Sequence, residues 1–197
     1  MNFLKIMIFC FCCLAFEAIG QEKNPLSVGP QFGMSRTSIT NEYHVSWQKN
    51  YLLGFIFRLK TGRKSAVNLE VNYERKGIDS GHTPLGTGVT FVIHEYFNYA
   101  TVGALYERKF NLDKGFYWQG GMYSASLKSK KNESQSDLKN EWDAGFLLRL
   151  GYSFNLMENV KIRFYVGKAH GIVNIDEDKS DKNMNRSYLA GIQVLIP

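Results

Sequence analysis

The chain has 197 residues and a formal net charge of +6, and it is rich in aromatics (14%) and in glycine (18) but nearly free of proline (4). That length suits one domain of ordinary size. All three cysteines, Cys10, Cys12 and Cys13, lie in an N-terminal stretch that reads as a secretory leader, so disulfides, thiolate metal sites and cysteine nucleophiles are excluded from the mature chain.

Lys5 gives the leader its positive start, Ile6 to Phe16 forms an unbroken apolar run, and Ala18-Ile19-Gly20 has the small-x-small form that signal peptidase cuts. Cleavage is expected before Gln21, leaving residues 21–197 as the mature domain. Bulky Phe9 and Phe11 precede Cys10 and Cys12, which argues against a lipoprotein. The apolar run, about 11 residues, falls well short of the roughly 20 that a spanning helix needs. No second such run follows, so helical membrane insertion is excluded.

From residue 26 onward, period-two alternation recurs between turn-like segments and no stretch shows a 3.6-residue period, which predicts an all-β chain. The first expected strand, Leu26 to Arg36, leaves its facing open. In Leu52 to Lys60 one face carries Leu53, Phe55, Phe57 and Leu59, the other Gly54, Ile56, Arg58 and Lys60. In Ala66 to Arg75 the apolar face is Val67, Leu69, Val71 and Tyr73, set against Asn68, Glu70, Asn72 and Glu74. Tyr96 to Phe110 is partly apolar on both faces, and Phe116 to Leu127 alternates less cleanly. Trp142 to Phe154 opposes Ala144, Phe146, Leu148, Leu150, Tyr152 and Phe154 to Asp143, Gly145, Leu147, Arg149, Gly151 and Ser153. Lys161 to Asn174 follows, with Gly167 and Gly171 expected at bends or bulges. The last strand sets Tyr188, Ala190, Ile192, Val194 and Ile196 against Ser187, Leu189, Gly191, Gln193 and Leu195.

The connections alternate in length. Residues 61–65, 111–115 and 155–160 are short, whereas 37–51, 77–95, 128–141 and 175–186 are long and polar. Eight strands with three short and four long connections fit an antiparallel up-and-down transmembrane barrel, with short turns inside and long loops outside. A soluble sandwich or a periplasmic ligand-binding barrel would alternate in the same way. Polar faces rich in Gly, Ser and Asn, and apolar faces ending in Tyr73, Tyr96, Tyr106, Tyr152, Phe154 and Tyr188, favour aromatic girdles at two membrane interfaces.

The order of several segments also resembles the outer membrane β-barrel (PorT-like, "porin family") proteins of Bacteroidota over essentially the whole mature chain. These segments are Val28-Gly29-Pro30-Gln31-Phe32-Gly33, the strand Tyr96 to Phe110 with its Asp-Lys-Gly turn, and Phe116 to Tyr123 with paired glycines. The D-x-G-x-x-x-R-x-G-Y-x-F strand from Asp143 to Phe154 and the stretch Tyr165 to Ile175 complete the likeness. Ala100-Thr101-Val102 stands where many relatives have Ile-Pro-Leu. The resemblance implies an outer-membrane barrel and little about activity.

An eight-stranded barrel has an interior that side chains fill, which argues against a wide pore. The inward candidates Arg58, Glu70, Glu74, Asp143, Arg149 and Arg163 carry both signs, and buried charges persist only when paired. They are expected to form a structural network, with Arg58 diagonally opposite Glu70 across the turn at Arg63 and within reach of it. His44, His82, His94 and His170, with Ser46, Ser80, Glu95 and Asp176, scatter over the outer rim without a G-x-S-x-G or H-E-x-x-H spacing. No catalytic residue, cofactor or metal is therefore expected, and Asp176-Glu177-Asp178 lacks the Gly and final Glu of a calcium loop. Outer-membrane lipid, lipopolysaccharide included, is the expected contact, with Lys128, Lys130, Lys131 and Lys139 as candidates to meet its phosphates. A surface or secretion-machinery protein could be a further partner, and nucleic acid is not expected. The main reading is a non-enzymatic barrel displaying its loops; the alternatives are a rim-active lipid-modifying enzyme and a soluble periplasmic barrel.

Overall fold

The computed structural model describes residues 25–39, 45–82, 91–110, 115–132, 141–174 and 184–197. The expected leader over 1–20 and its cleavage site lie outside the described residues.

Nine strand segments follow in order: β1 (Leu26–Ile39), β2 (Val45–Ser46), β3 (Gln48–Lys60), β4 (Ser65–His82), β5 (Phe91–Lys109), β6 (Phe116–Asn132), β7 (Trp142–Met157), β8 (Val160–Gly171) and β9 (Asn185–Leu195). Only Trp47 separates β2 from β3, and both pair with β4, so the two form one stave and the wall has eight. Each stave pairs antiparallel with its neighbour in sequence, and β1 closes on β9 from Gln31↔Gln193 to Ile39↔Asn185. The result is a closed, up-and-down, eight-stranded β-barrel with no unpaired edge.

Alternation decides which way each side chain points, because neighbouring residues of a strand face opposite sides of the sheet. Phe55, Leu148 and Ile192 are 57%, 60% and 41% exposed, whereas Arg149, Arg163, Glu70 and Asp143 are buried. The outer surface is thus apolar and the interior polar, the reverse of a soluble barrel. The four strands whose facing the sequence left open are now oriented. β1 turns Gln31, Ser35 and Thr37 inward, and β5 turns in Phe97, Tyr99, Thr101, Leu105 and Glu107. β6 turns in Tyr117, Gln119, Tyr123 and Ala125, and β8 turns in Arg163, Tyr165 and Ala169.

Aromatic contacts band the outside at both ends. Near the short turns Tyr106 meets Trp118 at 5.8 Å, Phe116 meets Tyr152 at 4.8 Å and Phe154 meets Phe164 at 6.0 Å between centroids. Near the loops Trp47 lies 5.0 Å from Tyr188, and the Arg75 guanidinium sits between Tyr51 and Tyr96 at 4.8 and 4.9 Å.

Three expectations need correction. First, the strands outrun the apolar pattern: β4 and β5 stay paired out to His82↔Phe91, and β6 runs on to Asn132, so the connections are shorter than the 77–95 and 128–141 expected. Backbone pairing continues where there is no longer an apolar face to keep the alternation visible. Second, the register is unbroken at Gly167; it shifts instead at Asn98/Tyr99 and at Asn155/Met157. Gly167 makes room for a neighbour, since a Cβ there would sit 2.6 Å from Cγ of Arg149. Gly171 is the last residue of β8. Third, Leu59 and Val67, read as outward, are nearly covered at the turn end, where they oppose each other.

Phe55 lies in the middle of the apolar belt, between Leu53 and Phe57 along β3 and opposite Pro30 and Val71. Phe55→Arg should lower unfolding stability in lipid vesicles by about 2–4 kcal/mol, and Leu26→Arg near the turn end by no more than about 1. Urea titrations of vesicle-inserted protein check the difference; equal small losses at both sites would mean that no hydrocarbon surrounds Phe55.

Candidate functional site

The lumen concentrates the chemistry of this chain. Eight charged side chains are buried among the described residues: Arg58, Lys76, Arg149 and Arg163 against Glu70, Glu74, Glu107 and Asp143. Four cations face four carboxylates, so these buried charges balance. Desolvating an isolated charge is prohibitive, and this balance is the condition under which such a lumen can exist.

The charges form three clusters along the barrel. Near the short turns, Glu107 Oε1 accepts from Arg58 Nε and Nη2 at 3.1 and 2.9 Å, and its Oε2 accepts from Gln119 at 3.1 Å, from Asn68 at 3.2 Å and from Arg163 Nη2. The Arg163 guanidinium also lies 4.0 Å over the Tyr117 ring. In the middle, Arg149 Nη1 donates to Glu70 Oε1 at 2.5 Å, and Gln193 Nε2 donates to the same oxygen at 3.2 Å. Gln193 also donates to Gln31 at 2.9 Å across the β1–β9 seam, and Gln31 donates to Asn72. Toward the loops, Asp143 Oδ2 accepts from Lys76 Nζ at 2.8 Å, Asn185 at 2.9 Å and the Tyr123 hydroxyl at 3.3 Å. Glu74 lies 3.8 Å from Lys76 and accepts from Thr101 at 3.5 Å.

The pairs span the lumen instead of joining adjacent strands. Arg149 to Glu70, Lys76 to Asp143 and Arg163 to Glu107 each connect staves three positions apart around the wall. This geometry corrects the expected Arg58–Glu70 bridge. Arg58 stands opposite Asn68, hence diagonal to Glu70 as expected, but its guanidinium reaches on to Glu107, while Glu70 takes Arg149 from across the barrel. All six charged residues singled out in the sequence face inward. Lys76 and Glu107, which complete the balance, were missed. Glu107 belongs to a strand whose facing was unreadable, and Lys76 lies just past the expected end of its strand.

Apolar side chains fill the rest. Phe97, Tyr99, Leu105, Tyr123, Leu147, Tyr165 and Leu189 form a buried cluster inside the wall. Glycines make space for the rings: a Cβ on Gly151 would fall 2.3 Å from the Tyr117 ring. A cavity of about 20 Å³ beside Glu70, Lys76 and Arg149 is the space left at mid-lumen, room for about one water.

The rim candidates do not assemble. His170 is half-buried on the outer surface, opposite Phe146 and Arg186. His82, His94, Ser46, Ser80 and Glu95 lie on paired strands, with side chains outside the described residues. His44 and Asp176 are outside them altogether. No group of three potential metal-ligating side chains occurs among the described residues. Lys128 is exposed; the side chains of Lys130 and Lys131, and all of Lys139, lie outside the described residues.

No protein-family model matches the chain, and no curated protein does. Among solved structures, the outer membrane protein OprG from Pseudomonas aeruginosa is similar with a TM-score of 0.51 and 12% identity, over 87% of this chain and 92% of that one. Neisserial surface protein A gives a TM-score of 0.48 with 14% identity, over 88% and 99%. The attachment invasion locus protein Ail of Yersinia pestis, in complex with the heparin analogue sucrose octasulfate, gives 0.46 with 14% identity, over 88% and 100%. At these identities the likeness is one of fold, and the fold it shares with OprG is that of a small outer-membrane β-barrel.

Proposed function

We propose that this chain is a non-enzymatic resident of the outer membrane, exported through a leader cleaved after Gly20, whose closed wall and filled lumen hold four loop-bearing hairpin ends on the outer surface. Those ends serve binding, adhesion or the support of a secretion or envelope assembly, and the chain belongs with the PorT-like barrels of Bacteroidota. The observation that carries the reading is the inverted pattern of the wall, with Phe55, Leu148 and Ile192 outward and the paired charges inward. A water-soluble barrel rarely exposes an apolar patch beyond a few hundred Å², and here the belt runs around every stave.

The lumen network acts as bracing, not as a route for ions or protons. Each of its charges is paired with one of opposite sign, and the mid-lumen cavity of about 20 Å³ is too small for a hydrated ion. Outer-membrane lipid contacts the belt, and a surface or secretion partner meets the loops.

Membrane fractionation with heat-modifiable gel migration tests the placement: the mature chain should partition with outer membranes and migrate faster unboiled than boiled. Recovery as a soluble species without detergent would end the reading. Arg149→Met alone should destabilise the barrel by about 3–5 kcal/mol, because it strands Glu70 in a dry interior, while Arg149→Met combined with Glu70→Leu should recover most of that loss. Denaturant unfolding of the cycle measures it, and the double variant should still give no steady single-channel currents in planar bilayers. His94→Ala and His170→Ala should leave the acylation pattern of lipid A and phospholipid unchanged by mass spectrometry; a lost modification would reveal a rim enzyme.

A further inference from the structure

Acidic residues are distributed unevenly around the wall. Within the strands every Asp and Glu lies on β4, β5 or β7, and the four contiguous staves β3, β1, β9 and β8 contain none. Inside the barrel this asymmetry is balanced, because Arg58 and Arg163 reach across the lumen to Glu107.

On the outer face of those four staves, Arg36, Lys49, Lys168 and Arg186 are all exposed. The registers bring them together. Arg36 is directly opposite Lys49 on β3 and Tyr188 on β9; Tyr188 is directly opposite Lys168 on β8; and Arg186, one step nearer the loops, lies diagonal to both Arg36 and Lys168. Directly opposed like charges on one sheet face destabilise the pair, yet no acidic side chain on these four strands offsets them. Tyr188 sits among them, with the Lys168 ammonium 5.7 Å from its ring and the Trp47 ring tilted against it at 5.0 Å. Immediately below, the rows Met34, Tyr51, Ala190 and Val166, then Phe32, Leu53, Ile192 and Phe164, are entirely apolar. The cations therefore cap an apolar column at the loop end, where long basic side chains lay their stems on hydrocarbon and lift their charges to the headgroup level.

We propose that this face is a binding site for a phosphate-bearing lipid of the outer leaflet, with the acyl chains lying along the Phe32, Leu53, Ile192 and Phe164 column and the phosphates bridging Arg36, Lys49, Lys168 and Arg186. The proposal rests on the membrane reading above, which sets the loop end at the outer leaflet. A bridging phosphate removes the repulsion between Arg36 and Lys49 and accepts charge-assisted hydrogen bonds from both. On the neighbouring stave β4, Arg75 is engaged otherwise: its guanidinium lies between Tyr51 and Tyr96 and donates to Asn98.

The test uses the mature barrel in phosphatidylcholine nanodiscs doped with bis-phosphorylated lipid A or with its dephosphorylated form, read by native mass spectrometry of the ejected protein. Wild type should retain lipid A and hold the dephosphorylated form about tenfold less well, and the quadruple variant R36Q/K49Q/K168Q/R186Q should lose about tenfold in retention of the phosphorylated form. Retention should also fall with added salt, as exposed charge contacts do. Equal retention by wild type and variant, or of the two lipid forms, overturns the site. Heat-modifiable migration confirms that the variant is folded; should it fail to insert, K49Q alone, at an exposed position, is measured the same way and should lose about threefold. Failure of wild type itself to insert would overturn the membrane reading and not the site alone.

Discussion

Closure of the sheet is the constraint from which the other features follow. In hydrocarbon a backbone N–H or C=O without a partner costs several kcal/mol, so a β structure can cross only if its first and last staves pair. Here the β1–β9 ladder, Gln31↔Gln193 through Ile39↔Asn185, makes that closure. Once the wall is a cylinder, every second side chain is committed to a narrow interior, and with eight staves that interior must be filled by the chain itself. Tyr117 over Gly151 and Tyr165 against Gly33 and Gly191 show the filling at the level of single atoms, since a Cβ at any of these glycines would crowd the tyrosine above it.

Charges in the filling have a geometric role that apolar groups could not take. A Leu inside a barrel is content against any neighbour, whereas Arg149 needs a carboxylate and finds one at Glu70, three staves away. The cross-lumen pairs therefore specify which stave faces which, and at what register, at the same time as they brace the wall. A buried pair replaced by well-packed apolar residues is often no less stable, which fits a role in specifying the closed arrangement over one in adding net stability.

Much of this is legible in the amino-acid sequence. The facing of β3, β4, β7 and β9 was legible because each has one face free of charge, and the inward placement of Arg58, Glu70, Glu74, Asp143 and Arg149 followed from it; Arg163, on β8, was singled out by its charge alone. β5 was illegible for a physical reason: Phe97, Tyr99 and Leu105 plug the lumen, so its inner face is nearly as apolar as its outer one, and Glu107 went unrecognised with it. The partner of Arg58 was misjudged because a flat hairpin suggests Glu70 as the nearest acid, whereas curvature into a cylinder brings Glu107 on β5 within 2.9 Å. Strand ends were underestimated where backbone pairing outlasts the apolar alternation, as at Lys76, which is inward and bound to Asp143 beyond the expected end of its strand.

The uneven distribution of acids has a further consequence for how the wall comes together. Since β3, β1, β9 and β8 carry cations and no carboxylates, and the acids sit on β4, β5 and β7, neither half of the barrel is electrostatically complete until it faces the other. The pairs Arg163–Glu107, Arg149–Glu70 and Lys76–Asp143 join residues 56, 79 and 67 positions apart, so they form only after long loops have closed. Local hairpin pairing can begin at any of the short turns, but the buried charges are neutralised only when the curved sheet meets itself. The same uneven distribution leaves the outward cations of one half without acids on their own staves, so the charge pattern that serves closure inside also makes one outer face of the barrel chemically distinct from the rest.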